Sequence, residues 1–356
     1  MGQLRSQLSP RLLLLALLVA GFALAWRQLN QIPLLVVGQP SVTGPLQRDK
    51  EAPFFAGLRE RTGLPIKVTY KPVDQIGFKD VYQLQSLKDG TFDLVSLRFI
   101  QNSRVEPSLA GIDLPGLIAD YPTAKRVAAA YAGTVDRYLQ QRYGSKLLGI
   151  WSFGPQEVFC RRPVGRLADL RGMSIRVASP LLATVLEELG AQPAVIPFED
   201  TRAALEAGLV DCAITSAQSA HFAGWLAYAT HSYPIAFQFG LNGYAMSLAK
   251  WNAFSPQQQR LLVRTFEEHV SDFWATSRRL QAEVSRCHAG GPCGPWKPYR
   301  LQRVEPSPAD IARLREIMDR KLWPAWAVAC DRVHPGCSKE WQEKLGAFAA
   351  VGPLPR

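Results

Sequence analysis

The chain has no dense lysine/arginine run, no basic stripe interleaved with aromatics and no zinc-finger spacing, so its formal net charge of +11 does not point to nucleic acid. It also lacks G-x-S-x-G, C-x-x-C, a Walker A loop, G-x-G-x-x-G and H-E-x-x-H, which removes the common sequence signatures of hydrolases, redox thiols, nucleotide enzymes and zinc proteases. Histidine is scarce, with five in 356 residues: His221, His231, His269, His288 and His334. His221 and His231 lie ten apart in a Trp/Tyr-rich segment, and Glu199 and Asp200 beside Phe198 have the residue types of an acid/base pair. Helix-capping acids and packed histidines have the same appearance in sequence. No cofactor motif is present.

Hydrophobic content of 47% and charged content of 20% suit a globular protein, and the length accommodates two domains of ordinary size. Residues 1–11 carry Arg5 and Arg11 and no acid, and residues 12–26 form an uninterrupted apolar run. Fifteen residues are short for a membrane span and right for the core of a secretory signal. Ala23-Leu24-Ala25 has the small-x-small form of a cleavage site, so the expectation is export with cleavage after Ala25; retention as an N-terminal anchor is the alternative. Cleavage would remove two arginines and no acid, leaving a net charge of +9. No cysteine follows the apolar run, so no lipid anchor is expected.

The most informative stretch is residues 168–216, ADLRGMSIRVASPLLATVLEELGAQPAVIPFEDTRAALEAGLVDCAITS. Residues 174–177 lean to strand. Ser179-Pro180 offers an N-cap and a first-turn proline, after which Leu181, Leu182, Val185, Leu186 and Leu189 recur at helical spacing up to Gly190. Residues 192–198 and 209–215 are predicted strands flanking a short helix over 200–207. Strands alternating with helices of this length imply a parallel α/β sheet with right-handed crossovers. Ligands of open α/β sheets sit beyond the carboxyl ends of the strands, where Arg176 is placed. Its planar fork matches a carboxylate, and the helix starting after Ser179 adds unpaired N–H groups nearby.

DLRGMSIRV, the LG–P–PF step (Leu189, Gly190, Pro193, Pro197, Phe198) and ALEAGLVDCAIT resemble the solute-binding receptors of TRAP (tripartite ATP-independent periplasmic) transporters, over residues 33–252 and more loosely to the C-terminus. The resemblance implies a type 2 periplasmic-binding-protein architecture: two α/β lobes, a ligand cleft between them, and long C-terminal helices bracing both. It implies a small organic acid as ligand, held by Arg176, and a membrane permease as partner. Two departures concern the site. Thr215 or Ser216 stands where the family often has a ligand-touching asparagine, and Gln156 stands where a second arginine often occurs. A monocarboxylate therefore fits better than a dicarboxylate. The implied layout is lobe I over 32–150, lobe II over 151–238, a return and connecting helix over 239–286, and a cysteine-containing helical extension over 287–356, in a periplasmic monomer. An enzyme on the same scaffold and a membrane-anchored sensory domain are the alternatives.

Lobe I is predicted to start with a strand over 32–37, whose following loop offers Gln39, Ser41 and Thr43. A helix over 51–61, a strand over 66–70, a helix over 81–87 and a strand over 94–97 follow. LKDGTFDLVSL at 87–97 parallels LEAGLVDCAIT at 205–215, and this partial repeat pairs Ser96 and Arg98 with Thr215 and Ser216 as strand-end positions on a shared cleft. Trp151 and Phe153 on the strand over 146–153 are stacking candidates, although strand aromatics are more often core. Asn242 and Tyr244 lie in the return to lobe I. Ser255-Pro256-Gln257-Gln258 is a capping box opening a long amphipathic helix to about residue 286. A further capped helix, from Ser307-Pro308 to Leu322, is expected to be broken by Pro324.

Six cysteines in an exported chain suggest disulfides. Cys287 and Cys293 bracket one short loop and Cys330 and Cys337 another. Cys160 and Cys212 fall on neighbouring strands if the implied fold holds. Crossed pairing among the four C-terminal cysteines, or a metal site from Cys287, His288, Cys293, His334 and Cys337, stays open at this level.

Overall fold

The computed structural model describes residues 31–349. The apolar run and the expected cleavage after Ala25 lie outside the described residues. Eleven strands form two mixed sheets among them: β1 Ile32–Gly38, β2 Ile66–Pro72, β3 Leu94–Arg98, β4 Ser145–Ser152, β5 Glu157–Cys160, β6 Ser174–Val177, β7 Gln192–Val195, β8 Cys212–Thr215, β9 His231–Tyr233, β10 Leu241–Ser247 and β11 Gln302–Arg303. The first sheet has the order β2-β1-β3-β10-β4 and the second β11-β9-β5-β8-β6-β7. In each, a parallel trio built by helical crossovers (β2-β1-β3; β7-β6-β8) is extended by an antiparallel strand, β10 or β5. The architecture is a two-lobe α/β periplasmic-binding-protein fold.

The chain crosses between lobes after β4 and again before β10, and the two crossings bond to each other. Gln156 N donates to Gln238 O (2.8 Å), Phe237 N to Gln156 O (3.1 Å) and Phe153 N to Gly240 O (3.1 Å). β11 joins the second sheet by pairing Gln302 with His231, so the segment after residue 287 is more than a helical appendage.

Local capping sets the helix starts. Asp120 accepts from Thr123 N (2.7 Å) ahead of the helix Tyr121–Tyr143, and Ser179 from Leu182 N (3.4 Å) ahead of Pro180–Glu188. The capping box at Ser255 and Gln258 opens the 33-residue helix Pro256–His288, about 50 Å long at 1.5 Å per residue. Its buried stripe of Leu262, Phe266, Phe273, Leu280 and Val284 binds it to the core, each such side chain contributing about 1.5–3 kcal/mol. Trp274 Nε1 donates to Ile150 O of the first sheet and Gln281 Nε2 to Glu157 Oε1 of the second (both 2.8 Å), so one helix ties both lobes.

The expected break at Pro324 does not occur. The chain passes from the helix Pro308–Ile317 through a π-turn, Met318–Leu322, into the helix Trp323–Val333. Trp323 N reaches back five residues to Met318 O, and this wider turn makes room for a ring that an α-helical turn would reject. Pro53 follows a π-turn in the same way, with Ala52 N donating to Gln47 O. The C-terminal helices dock through stacked Trp323, Trp326 and Trp341. Trp326 Nε1 donates to Pro107 O (2.7 Å) and Trp341 Nε1 to Gly111 O (2.6 Å) of lobe I. Asp310 accepts from Tyr233 Oη (2.6 Å) and Leu167 N (3.2 Å) of lobe II.

Three disulfides join Cys160–Cys212, Cys287–Cys293 and Cys330–Cys337. The first links directly paired residues of β5 and β8. These bonds occupy the sulfurs that crossed pairing or a metal site would need. His288 faces His221 (3.1 Å) and His334 faces Glu106 (2.8 Å) instead. The Cys160–Cys212 bond closes a sequence separation of 52, against 6 and 7 for the others, and chain entropy alone assigns it about 4 kcal/mol, against roughly 2 for each short loop. Cys160→Ala/Cys212→Ala is therefore expected to lower the unfolding free energy more than either other double substitution, read by urea denaturation.

Candidate functional site

Arg176 is the second-last residue of β6, between β7 and β8. Its Nε donates to Ile196 O (2.9 Å) and one terminal nitrogen to Ile214 O (3.1 Å), carbonyls at the ends of the two neighbouring strands. The guanidinium therefore lies across the carboxyl edge of the sheet. Trp225 and Phe198 flank it at 5.2 and 5.9 Å. Arg176 is 2% exposed, and among the described residues no carboxylate is ion-paired to it. Burial, reinforced by the positive charge of Arg98, lowers its pKa to about 9, while Glu199 opposes from a distance. A buried cation without a counter-ion raises the energy of the folded state. That cost is present in full below pH 9 and is relieved only as the group deprotonates above it.

Arg98 ends β3 in the other lobe. Its Nε lies 3.4 Å from Asp80 Oδ2, a second nitrogen bonds Gln39 Oε1, and the group stacks over Phe153 at 5.2 Å. The Gln39 side chain in turn donates to Ser96, and its backbone N–H donates to Glu51 Oε2 (2.6 Å). Burial raises the Asp80 pKa, with Arg98 pulling it down. Among the described residues, Arg98 thus has a counter-ion and Arg176 has none.

The two arginines line one cleft, part of it open to solvent. Phe153, Gln156, Thr215 and Asn242 line it as well. Gln156 Nε2 is turned to Gly154 O (2.9 Å) and Asn242 Nδ2 to Gly240 O (2.8 Å). Two expected residues lie elsewhere. Trp151, at 0% exposure, packs against Phe273 and Phe153 (4.4 and 4.9 Å) and is not among the lining residues. It sits on β4, the edge strand of the first sheet, under the long helix, so packing claims it. Ser216 spends its hydroxyl on Ser219 N (3.2 Å), capping Ala217–Phe222, and Ser219 reaches the cleft in its place. Of the loop candidates Thr43 lines the cleft, whereas Gln39 holds Arg98. His221 faces His288, and His231 bonds Gln302 Oε1 at the surface (2.8 Å). Leu182, Phe198, Ile214, Gln238 and Leu241 complete much of the wall. Gln238 carried no sequence signal, since its role comes from the second crossing.

A family model described as bacterial extracellular solute-binding protein, family 7, matches residues 46–286. The chain belongs to this family. Among curated relatives, the family 7 protein is 26% identical over 135 residues to the C4-dicarboxylate-binding periplasmic protein DctP of Vibrio cholerae, covering 38% of this chain and 41% of the relative. It is 24% identical over 184 residues to the sialic acid-binding periplasmic protein SiaP of the same organism, covering 51% and 57%. The chain thus spans about half the length of these curated relatives. Solved structures with the same fold include a TRAP periplasmic solute binding protein from Desulfovibrio salexigens with bound orotic acid (TM-score 0.78, 17% identity, 89% of this chain and 100% of that one). Another is DctP7 of Bordetella pertussis, an extracytoplasmic solute receptor binding pyroglutamic acid (TM-score 0.77, 14% identity, 88% and 99%).

The cleft wall of this family 7 protein has one position where a side chain is not tolerated. Gly240 has φ +59°, and a Cβ there would meet Gln156 Nε2 at 2.6 Å. The left-handed conformation alone costs a residue with a Cβ roughly 1–2 kcal/mol. Gly240→Ala is expected to lose at least that much stability by urea unfolding and to displace the Gln156 side chain.

Proposed function

We propose that this family 7 protein is the extracytoplasmic receptor of a TRAP-type secondary transporter, working in the periplasm as a monomer. It binds a small monocarboxylate between its lobes and delivers it to the membrane permease without chemical change. The observation that carries the reading is the unpaired charge of Arg176. Two of its five N–H groups are spent on carbonyls, leaving donors for both oxygens of a carboxylate. An anion there also offsets the repulsion between Arg176 and Arg98.

Charge and lining narrow the ligand class. Arg98 is balanced by Asp80 at 3.4 Å, so the arginine pair and this carboxylate leave one uncompensated positive charge. That favours a monoanion over a dianion. Gln156, Gln238, Asn242 and Thr215 are neutral donors and acceptors, and Phe153, Phe198 and Leu182 are apolar. A carboxylate on a compact body with an amide or hydroxyl group suits that wall. The bound orotic and pyroglutamic acids of structures with the same fold are carboxylates of that kind. Closure of the lobes on the ligand selects the form that the permease accepts.

Calorimetry against a panel of acids tests this. L-pyroglutamate and orotate are expected to bind more tightly than malonate or malate. Arg176→Ala is expected to weaken binding by about 2–5 kcal/mol, most of it from leaving the ligand's charge buried and unpaired; an unchanged dissociation constant would remove Arg176 from the site. Asp80→Asn frees the charge of Arg98 and is expected to shift preference toward the dicarboxylates.

A further inference from the structure

Three carboxamides line the cleft where the chain crosses between the lobes: Gln156 on the first crossing, Gln238 on the second, and Asn242 near the start of β10. Each spends its nitrogen on the protein. Gln156 Nε2 donates to Gly154 O (2.9 Å), Gln238 Nε2 to Asp113 O (2.7 Å) and Asn242 Nδ2 to Gly240 O (2.8 Å). All three partners are main-chain carbonyls, which only accept. A flipped amide would set oxygen against oxygen, so the neighbours fix which end of each group faces away. Among the described residues no donor reaches Gln156 Oε1, Gln238 Oε1 or Asn242 Oδ1, and none of these oxygens is sealed from solvent. The accessible space they meet is the cleft.

The carbonyls that orient these amides are themselves held. Asp113 is 0% exposed, and its carboxyl oxygens accept from Phe239 N (2.7 Å) and Leu241 N (3.1 Å), on either side of Gly240. Gly154 N donates to Ser152 Oγ (2.7 Å), and Gln156 N to Gln238 O (2.8 Å) joins the two crossings. The acceptors are therefore in place before a ligand arrives, which lowers the ordering cost of binding.

Donors and acceptors thus separate within one cleft. Arg176 and Arg98, at strand ends, can only donate, while the crossings present oxygens. Thr215 adds a hydroxyl, which serves either role. Once a carboxylate takes the donors of Arg176, the rest of the ligand meets acceptors. A carbonyl, an ether oxygen or a second carboxylate there would face lone pairs with lone pairs. A hydroxyl brings lone pairs along with its single hydrogen, whereas an uncharged N–H brings the hydrogen alone. An ammonium also only donates, but its charge would add to the repulsion that Arg176 and Arg98 already exert on each other.

We propose that Gln156, Gln238 and Asn242 form an acceptor subsite that selects an acid carrying an uncharged N–H, as a lactam or ureide does, and rejects its oxygen isostere. The inference rests on the reading of Arg176 as the carboxylate clamp, and it names the second group of the ligand.

Calorimetry with three ring acids of one shape tests it: L-pyroglutamate, its lactone isostere with oxygen in place of the ring N–H, and its carbocyclic isostere with methylene there. Each carries one carboxylate, so the clamp treats them alike. The lactone and the carbocycle are expected to bind roughly tenfold to a hundredfold more weakly, because buried acceptors are left unpaired. L-proline, whose ring nitrogen is a charged ammonium, is expected to bind more weakly too. Gln156→Met removes one acceptor at similar size; it should weaken L-pyroglutamate and spare the lactone, whereas a purely structural role would move both together. A lactone within about twofold of L-pyroglutamate would overturn the proposal, as would L-proline binding as tightly as L-pyroglutamate or a lactam-to-lactone ratio unchanged in Gln156→Met. If every acid fails to bind, the neutral pair pyrrolidinone and butyrolactone decides by ligand-observed NMR. Preference for the lactam would support the subsite while the clamp falls, and no preference would overturn both.

Discussion

A guanidinium buried at the end of a β-sheet, with no carboxylate paired to it among the described residues, is the constraint around which this molecule is arranged. Main-chain carbonyls of Ile196 and Ile214 and the rings of Trp225 and Phe198 hold Arg176 in place without neutralising it. Partial solvation of this kind keeps the group oriented and leaves its charge unsatisfied. The opposing lobe is built differently. There Arg98 belongs to a network running through Asp80, Gln39, Ser96 and Glu51, and its charge is balanced locally. The cleft is electrostatically asymmetric, with one lobe supplying a charge that lacks a partner and the other a finished polar surface.

The two lobes on either side of the cleft are held in register by several ties. The crossings at residues 153–156 and 237–241 bond to each other, and the helix Pro256–His288 bonds to both sheets. The C-terminal helices add a third tie through the Trp323, Trp326 and Trp341 stack on one side and Asp310 on the other. Asp113 joins this frame to the cleft wall, because the amides it accepts belong to the turn between Gln238 and Asn242. The frame and the binding surface therefore share the same few peptide groups.

Much of the fold was legible in the sequence. The strand–helix–strand periodicity of residues 168–216 announced a parallel unit and placed Arg176 at its carboxyl edge, and the parallel between 87–97 and 205–215 announced a second such unit. Serine and aspartate caps located the starts of the long helices, since capping is decided within four residues. What short-range chemistry did not reveal was competition for the same side chain. Trp151 lies within β4 and Phe153 just past its end, and only Phe153 reaches the cleft, because the long helix covers the position of Trp151. Ser216 and Ser219 exchange roles for a similar reason, the first being consumed as a cap. Pro324 was expected to end a helix, but the π-turn Met318–Leu322 carries the chain past it.

The sequence by itself determined the α/β class, the pairing of nearby cysteines as candidates and the place of Arg176 at a strand end, because each of these depends on periodicity or on groups close along the chain. Only the tertiary structure decided which charges cancel. Arg98 and Asp80 are 18 residues apart and Arg98 and Arg176 are 78 apart, and no spacing rule states that the first pair touches while Arg176 is left without a partner. The same holds for Asp113, whose carboxylate reaches amides 126 and 128 residues away. Coulomb energy and hydrogen bonding fall off with distance in space, and distance in space is fixed only once both lobes and their crossings have packed.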